Sequence, residues 1–127
     1  MKFIVKNGLP ITNVKLTYND ESMMIENVLI DTGSAVTIFD TDIVENIGLT
    51  IDPSQGKAVY MYGVGGKSEV CFQQQVKQLI IDNISLEMYT VQLGMTMVPY
   101  GFNAILGADF FSKTNASIDF RNYQIYY

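Results

Sequence analysis

The sequence predicts an all-β fold, a closed or partly orthogonal barrel with short helices. Three observations predict it. Apolar, β-branched and aromatic residues recur in short runs, one of which alternates with period two. Polar or glycine-bearing turn signals separate those runs. Eight tyrosines and seven phenylalanines, with no tryptophan, suit a strand-rich core.

The elements follow in order. Residues 2–5 form a short apolar segment. Residues 11–18 alternate, with Val14, Leu16 and Tyr18 facing one way. Asn19-Asp20-Glu21-Ser22 is a polar turn, and residues 23–30 are the next strand. Residues 36–39 are short and apolar. Residues 40–48 read as a short helix: Asp40 or Thr41 caps its start, acids occupy the first turn, and Gly48 closes it. Residues 59–62 and 69–72 flank Gly63-Val64-Gly65-Gly66, a hairpin signal. Residues 78–81 and 86–93 are two strands around a turn at Asp82-Asn83. Residues 94–100 are irregular and methionine-rich. Ala104-Ile105-Leu106-Gly107 is an apolar strand running into a second short helix at 109–113. Residues 117–120, a turn at Arg121-Asn122, and residues 123–127 end the chain as strands.

At 127 residues the chain is one domain's worth, and no linker, low-complexity tract or repeat array divides residues 1–127. The net charge is −5. So acidic a chain offers little Lys or Arg to displace counterions from a phosphate backbone, so no nucleic-acid partner is expected. Cys71 is the only cysteine, so no intrachain disulfide forms and a reducing compartment is expected. Lys6 interrupts the first apolar run too early for a secretory signal. No stretch reaches the roughly 18 apolar residues of a spanning helix. The expectation is a soluble, cytoplasmic protein without a membrane partner.

The chain has no histidine. Serine or cysteine nucleophiles activated by histidine are therefore excluded. With one cysteine and no D-x-D-x-D-G cluster, neither a metal nor any other cofactor is expected. Gly66-Lys67-Ser68 ends like a phosphate-binding loop, but Met61 occupies the position of that loop's first glycine, so nucleotide binding is dismissed. A carboxylate remains the best candidate for acid/base work.

Asp31-Thr32-Gly33-Ser34-Ala35 sets such a carboxylate in a tight turn, between apolar Val28-Leu29-Ile30 and Val36-Thr37-Ile38-Phe39. Gly33 permits the bend, and Thr32 and Ser34 supply hydroxyls that fix the carboxylate and brace the turn. A plain β-turn with aspartate at its first position is the bland alternative. One carboxyl cannot be both proton acceptor and proton donor. Two held within hydrogen-bond distance share a proton, and their apparent pKa values split.

These residues resemble the active-site motif of the aspartic proteases. Ile105-Leu106-Gly107 resembles the family's apolar-apolar-Gly motif behind the active-site loop, and Ala108-Asp109-Phe110-Phe111 the helix that follows it. Gly63-Val64-Gly65-Gly66, with Tyr62 before it, resembles the flap that closes over substrate. Taken alone, a simple glycine-rich turn explains that segment equally well. The order of the three motifs resembles the single-lobed retropepsin-like group, which includes retroviral and retrotransposon proteases.

The resemblance implies an acid-protease barrel with a Gly-rich flap hairpin and one or two short helices. It implies an aspartic endopeptidase acting on a polypeptide substrate. With a single D-T-G, the dyad must form across a homodimer, Asp31 from each copy, and Thr32 bonds across to the partner in that family. Residues 123–127 could serve as a dimer-pairing strand, as terminal strands do in the viral enzymes. The rival is a catalytically weak or inactive retropepsin-like dimerisation or peptide-binding module.

Other residues carry smaller expectations. Tyr60 and Tyr62 either line the cleft or pack on the sheet. Residues 94–100 could border the cleft. Cys71 is expected to be buried and inert. Asp109 is a cap or solvated, or else an ion-pair partner of Arg121 or another basic group.

Overall fold

The computed structural model describes residues 1–62 and 68–127. Strands dominate it: β1 (Ile4–Lys6), β2 (Leu9–Tyr18), β3 (Glu21–Ile30), β4 (Ile38–Asp40), β5 (Gly56–Tyr62), β6 (Ser68–Ile81), β7 (Ile84–Gly94), β8 (Ala104–Leu106), β9 (Ser117–Asp119) and β10 (Gln124–Tyr126). The helices are short: α1 (Thr41–Val44) continued by a 3₁₀ turn (Glu45–Ile47), α2 (Met97–Tyr100) and α3 (Ala108–Thr114). The all-β expectation holds.

Local chemistry makes the hairpins. Asn7-Gly8 joins β1 to β2 with both residues at positive φ (53° and 78°). Asn19-Asp20 joins β2 to β3 in the same way (49° and 67°). Paired left-handed residues give the two-residue turn whose twist matches the strands. Asp82 (φ 56°) turns β6 into β7, and its carboxylate and amide clasp the Lys15 backbone on β2 at 2.8 and 2.7 Å.

Eight strands form one sheet in the order β1-β2-β3-β8-β4-β7-β6-β5. A further pairing, Leu16 with Ile81 and Thr17 with Ile80, joins β2 directly to β6. The sheet thereby folds back on itself around a core of Val14, Leu16, Ile25, Phe39, Leu79 and Ile81. β8 lies between β3 (parallel) and β4 (antiparallel), and β4 is parallel to β7. Three short buried segments thus converge where β3 ends.

Three expectations are revised. The segments at 69–72 and 78–81 are one continuous strand, β6. Its central glutamines stay in the ladder because their polar ends find partners: buried Gln74 accepts from the Asp52 amide and donates to the Thr50 carbonyl, both at 2.9 Å. Residues 97–100, expected to be irregular, form α2. The third revision concerns the C-terminal strand. β10 pairs with β9 on one edge, and on the other with the chain's own N-terminus through Lys2–Gln124, Ile125 N to Met1 O (2.7 Å) and Phe3 N to Tyr123 O (3.1 Å). The segment expected as a dimer-pairing strand thus makes pairings inside one copy, with β9 along one edge and with Met1, Lys2 and Phe3 at residues 123–125 of the other.

Candidate functional site

The Asp31 turn is built mostly by its own residues. The Asp31 amide donates to the Leu106 carbonyl at 2.9 Å, extending the β3–β8 pairing by one residue. The chain then bends, with Ser34 N donating to Asp31 O at 3.1 Å. Gly33 N donates to Asp31 Oδ1 (3.0 Å) and Ser34 Oγ to Asp31 Oδ2 (2.9 Å). An aspartate bonding the backbone two residues on is an Asx turn, which fixes the carboxylate's orientation. Asp31 and Ser34 are half-buried, while Thr32, Gly33 and Ala35 are exposed.

The loop rests on the segment after β8. Ala108 N donates to Ser34 O at 2.7 Å. A Cβ on Gly107 would lie 2.7 Å from Ser34 O and 2.8 Å from Val36 O, so only glycine lets the two backbones touch there. Gly107 N donates to Thr37 Oγ1 (3.0 Å), and Thr37 Oγ1 donates to Asp109 Oδ1 (2.8 Å). The Tyr89 hydroxyl donates to Asp109 Oδ2 at 2.5 Å. Burial, then the bond to Asp109, pushes the Tyr89 phenol well above its ordinary pKa. Asp109 therefore serves this network; it does not pair with Arg121, whose backbone amide bonds Asp119.

Asp31 opens onto a cleft of about 250 Å³. Leu29, Ile38 and Ile105, from three neighbouring strands, contribute one apolar side. Met61 and Tyr62 of β5, with Glu69 and Cys71 of β6, contribute another. Met95, Thr96, Tyr100 and Phe102 complete it. A larger groove of about 380 Å³ lies between Phe3 and Tyr123, but its lining holds no carboxylate and so cannot supply carboxyl acid/base chemistry.

No protein-family model matches the chain, and no curated protein matches it. The functional reading therefore rests on the residues and their geometry.

The structure brings together Asp31, Ser34, Tyr62 and Ile105 at the cleft, with Leu106 and Gly107 buried behind the loop. Gly63, Val64, Gly65 and Gly66, the expected flap tip, lie outside the described residues. Tyr60 is not among the cleft residues: it pairs with Val70 on the outer face, and these two are 64% and 60% exposed. Residues Met95, Thr96 and Tyr100 do border the cleft, as expected of that segment. Cys71 is buried, and burial raises its thiol pKa, with Glu69 adding to the effect, so the thiolate is disfavoured.

Thr37, Tyr89, Glu69 and Phe102 were missed. Thr37 lies two residues after Ala35 and Glu69 three after Gly66, and polarity inside an apolar strand was the available signal for Thr37. Among the described residues, no group of three or more His, Cys, Asp or Glu is placed to hold a metal ion. No helix among them is long and apolar enough to cross a membrane.

Proposed function

We propose that this domain is a retropepsin-like aspartic endopeptidase that works as a homodimer. One observation carries the reading: the Asp31 carboxylate is held by Gly33 and Ser34 at the mouth of an apolar cleft, in a loop braced by the glycine after β8. The circuit of pairings closed by β2 and β6 supports the acid-protease barrel.

The chemistry requires a second carboxyl, which Asp31 of a second copy supplies on a two-fold axis. The pair carries one shared proton. The ionised carboxyl takes a proton from a water molecule, whose oxygen attacks the scissile carbonyl carbon. The protonated carboxyl donates to the carbonyl oxygen, giving a tetrahedral gem-diol. A proton then passes to the leaving nitrogen, the C–N bond breaks, and acid and amine products depart. The apolar cleft side excludes bulk water, which strengthens the electrostatics at the reacting carbon. Exposed Thr32, Gly33 and Ala35 present the loop to the second copy. With residues 123–125 already paired to the N-terminal residues inside one chain, the proposed contact between copies runs through these loops.

The test is cleavage of an unstructured protein between about pH 4 and 7, where carboxyl dyads function. Wild type cleaves it. Asp31→Asn, which keeps the shape and removes the shared proton, loses at least about 10³-fold in kcat/KM. Activity surviving in Asp31→Asn rejects the mechanism. Silence in both, with intact dimers, selects the peptide-binding module.

A further inference from the structure

Besides Asp31, the described cleft lining contains one more carboxylate, Glu69. Glu69 is half-buried on β6, directly opposite Met61 of β5 and two residues from Cys71. Residues paired across two strands, and residues two apart along one, share a face, so all three look into the cleft. The Tyr100 phenol lies against Glu69, and that carboxylate is the main cause of the rise in its pKa. The neighbouring walls are aliphatic or aromatic: Leu29, Ile38, Met95, Phe102 and Ile105. No lysine or arginine is among the described lining residues.

We propose that Glu69 is a specificity-determining residue, and that the cleft takes a polypeptide carrying a lysine or arginine side chain next to the reacting bond. This rests on the peptide-cleft reading of the same site and deepens it. A long aliphatic stem with a cationic head matches an apolar wall that ends in a carboxylate. Filling the cleft with a purely apolar side chain would strip water from Glu69 and leave it only the Tyr100 hydroxyl, with no countercharge. An acidic side chain would meet like charge in a partly dehydrated space. Selection thus comes from penalties on the wrong occupants as much as from attraction to the right one.

The test uses a peptide panel in which each position around the central bond carries in turn lysine, norleucine or glutamate. Norleucine keeps the stem and removes the charge. Each peptide is made cleavable, for kcat/KM, and with an uncleavable hydroxyethylene centre, for affinity near neutral pH. At one position, wild type binds the lysine peptide at least about fivefold tighter than the norleucine peptide, with glutamate weakest. Glu69→Gln removes that preference while norleucine binding is retained, and added salt weakens it in wild type.

Equal affinity for lysine and norleucine at every position, no binding of any peptide, or a lysine preference that survives in Glu69→Gln overturns the proposal. The two readings fail separately. Cleavage without charge preference sinks the Glu69 assignment and leaves the enzyme standing. A Glu69-dependent preference in binding without cleavage does the reverse.

Discussion

Gly107 is where one methyl group does most harm to the candidate site. Its added Cβ would meet main-chain atoms of residues 34 and 36, which have no flexible end to swing away. Gly107→Ala is expected to cost about 3 kcal/mol, the upper end for forcing atoms into a packed interior, and to displace the Asp31 turn. Denaturant titration reads the first effect and peptide cleavage the second. Tyr89 gives a pH signature. Its folded pKa is raised, so the neutral phenol stabilises the fold fully below the ordinary value of about 10, and that stability is lost as pH rises beyond it. The denaturation midpoint is expected to fall above about pH 10, and the fall to be shallower in Tyr89→Phe. Tyr127, raised to about 12 by burial, retains part of the slope, as do Tyr100 and Cys71, which are also raised.

Residue by residue, what the sequence revealed was what neighbours in the chain decide. Asp31 bonds Gly33 and Ser34, so its turn is local and legible. The Thr37–Asp109 bond joins residues 72 positions apart, and no local pattern marks it.

Among the elements, α2 makes the same point. Its first amides are capped from outside: Thr96 N and Met97 N both donate to Asp40 Oδ2 at 3.0 Å. The same buried carboxylate caps α1 through Asp42 N at 3.1 Å. Capping α1 was readable because Asp40 precedes it directly. Capping α2 was not, because the carboxylate lies 57 residues away from Met97. Asp40→Ala leaves these amides without their acceptor and is expected to cost about 3 kcal/mol in a denaturant titration. It also frees the wall containing Met95 and Tyr100, so KM for peptides should rise more than kcat falls. The Asn7-Gly8 hairpin was legible and was passed over, although that dipeptide is a strong turn signal. The polar middle of β6 hid a continuous strand because exposed and buried glutamines look alike in sequence.

For the whole molecule, strand content, the order of the motifs and the expectation of a closed or partly orthogonal barrel were readable, whereas the strand pair that folds the sheet back on itself was not. Two residue pairs between β2 and β6 make that closure, and both arise from segments more than sixty positions apart. The proposed dimer brings together two copies of net charge −5, which repel. Raising ionic strength from about 0.01 to 0.15 M shortens the screening length from about 30 to 8 Å. The dimer is therefore expected to tighten with salt in sedimentation equilibrium, opposite in sign to the salt response of the lysine preference. A strict monomer at every concentration and salt would remove the second carboxyl and the catalyst with it.

The chain's two ends satisfy each other: the amino group of Met1 donates to the Ile125 carbonyl at 3.1 Å, and β10 is enclosed on both sides. A single copy encloses its own core of Val14, Leu16, Phe39 and Ile81. On the dimer reading, dilution would then silence such a hydrolase without denaturing it, and turnover in scarce protein would scale with the square of its abundance. Synthesis rate itself would become the on-switch.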